Sequence, residues 1–271
     1  MISPPLRARL LALLVFAVVG HTSGQDWQTA VSPYAPGVFP ELRPMHARYG
    51  FGWNTLTAAE ADFRLTKTAD GRQQLEATGH TIGLARKLWS FDVTHVSLTD
   101  ARSLRPIQVR ETELVRSKKF VTEVNFTPPG VVSKRDEESA GVSKSKTHQL
   151  DFPNLNSIDS ALLYLRTQSL KADAPQRIVV YPSTSAYLCT LTPLGREKIT
   201  VPAGSYEAIK LDLQLNKIDK KLQLAPHKRF HRATIWISDD PNRMVLRIEA
   251  QIFVGTVFAE LHSLQFDDAR P

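Results

Sequence analysis

The chain has 271 residues and a formal net charge of +7, with 42% apolar and 23% charged residues, which is a globular rather than a disordered or collagen-like composition. Its single cysteine excludes a disulfide framework and a structural zinc site built on cysteines. A mean hydropathy of -0.22, with one long apolar run, excludes a membrane protein with several spans.

Residues 1–24 have the pattern of a secretory signal peptide. Arg7 and Arg9 precede an unbroken apolar stretch at residues 10–19, and small residues at 22–24 offer a cleavage point before Gln25. The stretch is about half of the roughly 20 residues that cross a bilayer as a helix, so an uncleaved anchor is the weaker alternative. We expect an exported protein, periplasmic or secreted, with no transmembrane span after cleavage.

The mature chain is predicted to be a single β-rich domain at residues 45–266, after a proline-rich extended lead-in at 25–44. Apolar residues alternate with period two from residue 47, and Asp70-Gly71 is a tight-turn signal that predicts a hairpin. A change in the phase of the alternation predicts a bulge or break near His95. The polar segment 134–148 is interpreted as an exposed loop or a hairpin tip.

One amphipathic helix is predicted, beginning after Asn156 or Ser157 as the cap and ending near Ser169. Asp159 lies in its first turn, where a carboxylate meets the positive end of the helix dipole. Apolar residues at 158, 161, 162 and 165 follow the helical spacing, and residues 163 and 164 widen the apolar surface. We expect this helix to pack into a concave sheet.

The C-terminal third predicts strands again, at residues 178–181, 187–194, 197–202, 206–215, 234–238, 245–250 and 253–264. The fold class is therefore mainly β, with about a dozen strands in a large antiparallel sheet. Strand twist prevents a sheet of this size from staying flat, so we expect a half-barrel or barrel-like sheet with the helix packed on or in it.

Three stretches resemble the bacterial family called domain of unknown function 3108. They are the helix segment DSALLYLR at 159–166, the segments GREKI and PAGSYEA at 195–199 and 202–208, and WISDD at 236–240 with Arg243, GTV at 255–257 and Glu260-Leu261. The resemblance covers roughly residues 44–264. It departs from the family at Met244-Val245, where proline often follows the arginine, and at Met45-His46, where the family often has Gly-Glu.

The resemblance implies export and no assigned activity. The final hairpin is also similar to that of periplasmic lipoprotein carriers, whose curved half-barrel covers an apolar cavity. A possible cavity lining here consists of Trp53, Trp89, Phe91, Leu162, Leu165, Trp236 and Phe253. The aromatic residues are also explained as core packing.

A basic stretch at residues 217–232 is the second candidate surface. Either it is a solvated hairpin, or it binds an anionic surface such as phospholipid, lipopolysaccharide or acidic glycan. Nucleic acid is not expected as a partner, because no recognition module is visible. The basic residues concerned are Lys217, Lys220, Lys221, Lys228, Arg229 and Arg232.

The sequence does not indicate catalytic, metal-binding or cofactor-binding residues. Asp239-Asp240 precedes Pro241 between two apolar strands and is read as a β-turn. The pair His227 and His231 has metal-ligand spacing but stands among three cations. Cys189 reads as a small buried hydrophobe.

Two roles remain open. The first is a non-enzymatic exported protein that holds a lipid-like or envelope-derived molecule in an apolar cavity, and the second is an envelope assembly protein with a filled core that recruits a partner at an exposed edge strand. A hydrolase that uses Asp239 and Asp240 is a third, weaker alternative. The oligomeric state and the identity of the ligand or partner do not follow from the sequence.

Overall fold

The structure is a computed structural model that describes residues 27–37, 42–171, 174–226, 232–252 and 255–267. The chain divides into two compact units, residues 1–30 and 31–271. In the first, residues 27–30 form a turn in which the Ala30 N–H donates to the Trp27 carbonyl over 3.1 Å. The predicted signal peptide lies outside the described residues.

The second unit is built almost entirely from strands. In its first half these are β1 (Met45–Trp53), β2 (Leu56–Lys67), β3 (Arg72–Thr81), β4 (Phe91–Asp100), β5 (Pro106–Val115), β6 (Lys118–Thr127), β7 (Gly130–Ser139) and β8 (Val142–Leu150). In its second half they are β9 (Gln176–Val180), β10 (Ala186–Val201), β11 (Gly204–Ile218), β12 (Leu224–Pro226), β13 (Arg232–Ser238), β14 (Val245–Ile252) and β15 (Gly255–Phe266). The helices are α1 (Gly83–Leu88) and α2 (Ile158–Thr167).

All strands belong to one antiparallel sheet, which confirms the predicted fold class. The order is β8-β7-β6-β5-β4-β3-β2-β1-β15-β14-β13-β11-β10-β9, and β12 pairs with β11 as a branch. Strands β1–β8 form a first meander and β9–β15 a second. The first strand pairs with the last, from Met45 opposite Phe266 to Trp53 opposite Val257, and this pairing joins the two meanders into one sheet. Since β8 and β9 are consecutive in the chain but lie at opposite ends of the sheet, the segment that contains α2 must connect those two ends.

Local sequence determines the start of α2. The Ser157 hydroxyl accepts a hydrogen bond from the Ser160 backbone N–H at 3.0 Å, and Asp159 lies in the first turn. Arg166 lies in the last turn, where a cation complements the dipole. The predicted helix is confirmed, with Ser157 as its cap.

The sheet buries α2 on two sides. Leu163 belongs to a core cluster with residues from β1, β2, β14 and β15, including Ala47, Leu65, Leu246 and Leu261. The remaining buried apolar residues of α2 pack into a second cluster with β9, β10, β11 and β13, namely Ala161, Tyr164 and Leu165. The helix therefore packs against both meanders.

The described part of the lead-in, residues 31–37, packs along α2. The ring of Tyr34 stacks on that of Tyr164 with centroids 4.4 Å apart, and its hydroxyl donates to the Leu104 carbonyl over 2.6 Å. The Arg105 guanidinium lies over the same ring at 4.0 Å. Beyond it, the Gly37 N–H donates to the Thr167 hydroxyl, where an added Cβ would lie 1.9 Å from the Thr167 carbonyl oxygen. Only glycine allows the backbone at residue 37 to come this close to the backbone of Thr167.

Three sequence expectations differ from the structure. The prediction of a bulge or break near His95 is wrong in its position, because β4 pairs with β3 without a register shift and its shift against β5 comes between Leu98 and Thr99. His95 is a partly buried polar residue within a regular stretch of the strand. Segment 134–148 is the exposed distal part of the hairpin β7–β8, which confirms the hairpin alternative of that prediction. The two strands expected at 187–194 and 197–202 form one strand, β10, with a bulge at Pro193/Gly195. The short helix α1 was not predicted.

Candidate functional site

An apolar cavity of about 380 Å³ lies between α2 and the second meander. Its volume is at the lower end of the range of about 300–1,000 Å³ that small-molecule pockets occupy. The helix contributes one wall, and strands β9, β10, β11, β13 and β14 contribute the others. The lining residues are Ile158, Ala161, Leu162, Leu165, Ile178, Val180, Pro182, Tyr187, Cys189, Leu191, Leu213, Leu215, Ile235 and Ile248.

Strand alternation explains why this wall is apolar. Cys189 lies directly opposite Ile178 on one side and Leu215 on the other, and opposite residues in an antiparallel pair project from the same face. Two residues further along the same strands, Leu191 of β10 lies opposite Leu213 of β11. Each strand therefore delivers every second residue to the cavity, and no lining residue carries a formal charge.

Cys189 lies in the apolar wall of the cavity, where burial disfavours the charged form of its thiol. Burial raises its pKa to about 12, because the thiolate cannot be solvated there. The thiol therefore stays protonated at neutral pH and contributes an apolar surface. No disulfide partner exists, since this is the only cysteine in the sequence.

A cation stands at one end of the wall. Tyr187 lies directly opposite Lys217, so the Lys217 side chain leaves the same face of the sheet as the apolar rows. Lys217 is exposed, and Ile158 at the start of α2 is half-exposed beside the cavity. This end of the cavity combines an apolar opening with a positive charge, and we refer to it as the cavity mouth.

The structure brings only part of the predicted lining to the cavity. Leu162 and Leu165 line it. Trp236 packs in the first core cluster, where its indole N–H donates to Glu197 over 2.7 Å, and Trp53 and Trp89 are about half exposed at strand and helix ends. The remaining predicted residues are Phe91, which is partly buried outside this wall, and Phe253, which lies outside the described residues.

Sheet position, rather than aromatic character, selects the residues that line the cavity. Residue type alone predicts the aromatic side chains as the lining, because the sequence by itself does not order the strands. The aliphatic residues Leu213 and Leu215 were visible as the apolar side of an alternating strand, which was the available signal.

The described members of the basic stretch are Lys217 at the end of β11, Lys220 and Lys221 in the turn that follows, and Arg232 at the start of β13. Lys220 and Lys221 are exposed beside Asp219, whose carboxylate accepts from the backbone N–H groups of Lys221 and Gln223. Arg232 pairs with Asp212 at 2.5 Å. Lys228, Arg229, His227 and His231 lie outside the described residues.

A charged triad that the sequence did not reveal joins α2 to the first meander. His95 on β4 places Nδ1 3.1 Å from Glu111 on β5 and Nε2 3.0 Å from Asp159 on α2. Burial lowers the pKa of His95, but the hydrogen bonds and charges of the two carboxylates outweigh that effect and raise it to about 10. The imidazole is therefore protonated at neutral pH and holds the helix start.

The acidic pair at 239–240 forms the turn between β13 and β14. The Asp240 carboxylate accepts from the backbone N–H groups of Asn242 and Arg243, and Asp239 pairs with Arg196 at 2.5 Å.

The Ser160 hydroxyl donates to the Ser157 carbonyl at the start of α2. In the described ranges, no group of three or more His, Cys, Asp or Glu residues is arranged to hold a metal ion.

Over that same part of the chain, no helix combines the length and apolar character needed to cross a bilayer.

Among solved structures, one with a TM-score above 0.5 shows the same fold at low sequence identity. A β-barrel-like protein of domain of unknown function 1849 from Brucella abortus aligns with a TM-score of 0.57 and 9% identity, over 84% of this chain and 99% of the other. A Bacteroides fragilis protein with a YmcC-like fold, proposed to be exported, aligns at TM-score 0.35 and 8% identity over 85% and 100%. A proposed lipoprotein from Parabacteroides distasonis aligns at 0.33 and 11% over 85% and 99%.

No curated protein matches the sequence. The model of the protein family of unknown function DUF3108 matches residues 47–262, which is most of the sheet and the whole of α2. The resemblance seen in the helix segment and the closing strands is thereby confirmed, and the chain belongs to the DUF3108 family.

Proposed function

We propose that this protein binds a lipid-like molecule, with an acyl chain in the cavity between α2 and β9–β14. The observation that carries the proposal is the wall itself, whose lining residues are all uncharged over about 380 Å³. Burying an alkyl chain against such a wall is favourable by about 0.8 kcal/mol per methylene group.

Lys217 suggests where a polar head would lie. Its ammonium group shares a sheet face with the wall and stands at the cavity mouth, so an anionic head such as a carboxylate or phosphate would meet a positive charge. Lys220 and Lys221 add to the positive potential on the adjacent turn.

Cavity binding is tested by titrating the purified protein with a fluorescent fatty acid, cis-parinaric acid. Leu162→Trp and Leu215→Trp each fill the cavity from opposite walls and should weaken binding at least tenfold. Leu194→Trp is the matched control, because Leu194 is exposed and does not line the cavity. Equal affinity in all variants, with unchanged thermal unfolding, would overturn the proposal; the smaller Leu162→Phe serves if a tryptophan variant does not fold.

The head-group assignment has its own test. Lys217→Glu should weaken binding of the fatty acid several-fold while leaving a neutral monoacylglycerol probe unaffected, and Lys198→Glu, another exposed lysine, should affect neither. An equal loss for the charged and the neutral probe would assign Lys217 a structural role instead.

We also propose that the protein works outside the cytoplasm. The signal-peptide pattern of residues 1–24 supports this location, and fractionation with N-terminal sequencing tests it. A mature chain that begins at Gln25 in the periplasmic or extracellular fraction is expected, and an unprocessed cytoplasmic chain would contradict it.

The alternative role, assembly with an envelope protein through an edge strand, concerns β8. Its residues are exposed except the last, yet Lys144 and Lys146 lie along it, and lysines on an edge strand discourage pairing with another chain. The observations therefore favour the lipid-like ligand. Recovery of a stoichiometric protein partner, without extractable lipid, would favour assembly instead.

A further inference from the structure

Large apolar side chains are exposed together at one rim of the sheet. Because neighbouring strands are antiparallel, β1 and β5 end, and β2 and β6 begin, at the same rim as α1, which connects β3 to β4. Six exposed large apolar residues stand at this rim between β1 and β6. We call them the rim cluster: Trp53, Leu56, Leu84, Leu88, Trp89 and Leu114.

Helix α1 presents its apolar residues to solvent rather than to the core. Leu84 and Leu88 are one helical turn apart and are 63% and 69% exposed, and no residue of this helix is buried. Trp89, directly after the helix, is 50% exposed. A soluble helix ordinarily turns such residues inward, so this arrangement indicates a surface that is covered when the protein works.

Cations surround the rim cluster. The Arg116 guanidinium lies over the Trp89 ring at 4.8 Å and donates to the Leu88 carbonyl, and Arg86 and Lys87 occupy the last turn of α1. Arg86 pairs with the exposed Asp92 at 2.7 Å, which is a weak surface interaction. Arginine and lysine next to tryptophan and leucine match the interface of an anionic bilayer, where the aromatic rings lie at head-group depth.

The cavity mouth lies on the same rim. Following the antiparallel order from β1 through β15 to β9, the end of β9, the start of β10 and the end of β11 all fall on the rim where β1 ends. Lys217 and the exposed lysines at 220 and 221 therefore stand on the same side of the sheet as the rim cluster. The same set of strand ends therefore carries exposed apolar side chains, positive charge and the opening of the apolar cavity.

We propose that this rim docks on an anionic phospholipid surface, with the side chains of α1 inserted at head-group depth. Charge complementarity selects a bilayer as the occupant, and the short, exposed α1 suits shallow insertion rather than a span. Docking goes beyond ligand binding and does not depend on it, since the rim cluster and the cavity wall share no residue.

Vesicle sedimentation with the full chain tests the docking. Two kinds of vesicle are compared, pure phosphatidylcholine and phosphatidylcholine in which about one lipid in five is the anionic phosphatidylglycerol. Binding to both is measured for the native protein and for Leu84→Ser/Leu88→Ser. The double variant should lower partitioning onto the anionic vesicles at least tenfold and should fold normally, because α1 buries no residue. The matched control is Leu194→Ser/Val132→Ser, which changes exposed apolar residues outside the rim cluster.

A depth readout separates the rim from the apolar segment at residues 10–19, which every variant shares. Bilayers of brominated lipid should quench the native tryptophan fluorescence more strongly than that of Trp53→Phe/Trp89→Phe. Equal quenching of the two proteins, equal partitioning of all variants, or burial of the rim in a dimer of this chain would overturn the proposal. Loss of docking with unchanged binding of cis-parinaric acid would separate the rim from the cavity.

Discussion

The Nε2 atom of His95 lies 3.0 Å from the carboxylate of Asp159, and this contact connects the first meander to the start of the helix that crosses the sheet. The opposite ring nitrogen meets Glu111 at 3.1 Å, so a single imidazolium is held between two carboxylates. The side chains are mostly buried, at 19% exposure for His95 and 11% for Asp159, which makes this pair stronger than an exposed surface ion pair.

The first prediction concerns pH. The pKa of His95 is about 10 in the folded protein against an ordinary value of 6.5, so its contribution to stability is complete below about pH 6.5. Between pH 6.5 and 10 the unfolded chain loses the proton that the folded chain retains, and the contribution, on the order of a few kcal/mol, declines. Urea unfolding at pH 6, 8 and 10 should show this decline in the native protein and not in His95→Gln.

The control for that titration is His80→Gln, an exposed histidine on the neighbouring strand. The His80 variant should keep the native pH dependence. If His95→Gln also keeps it, the triad does not hold the helix.

The second prediction concerns the lead-in. Tyr34→Ala removes the stack on Tyr164 and the hydroxyl bond to Leu104, and we expect it to lower the free energy of unfolding by about 2–3 kcal/mol. Tyr34→Phe keeps the stack and loses only the hydrogen bond, at about 1 kcal/mol. Denaturant unfolding measures both; equal losses for the two variants would mean that the stack contributes little.

The third prediction concerns the cap of α2. Ser157→Ala removes the acceptor for the Ser160 N–H and should cost about 1 kcal/mol of stability, whereas Ser143→Ala on the exposed edge strand should have almost no effect. Thermal unfolding by circular dichroism gives the comparison. A Ser157 variant as stable as the Ser143 variant would show that packing alone starts the helix.

The fourth prediction uses Cys189 as a reporter of the cavity. Because burial keeps the thiol protonated, reaction with a maleimide at pH 7 should be at least tenfold slower than for the same protein in 6 M urea. Addition of a saturating fatty acid should slow it further, because the ligand would cover the wall on which Cys189 lies. Labelling that the fatty acid leaves unchanged would place the ligand elsewhere.

Period-two alternation, turn residues such as Asp70-Gly71 and the capped stretch at 157–165 predicted the strands, the hairpins and α2 from local preferences. The family followed from a distributed pattern over the same residues. These features are set by neighbours in sequence, which is why they could be predicted without a structure.

The tertiary structure decided the site. Which apolar rows face an unfilled space depends on the pairing of β10 with β9 and β11, and that pairing is fixed by strand order rather than by any single stretch. His95 interrupts an apolar pattern in the sequence, and only the crossing of α2 from β8 to β9 brings Asp159 to it. Contacts between residues distant in the chain arise from the strand order and from the crossing of α2 between the two ends of the sheet, and local preferences do not encode either.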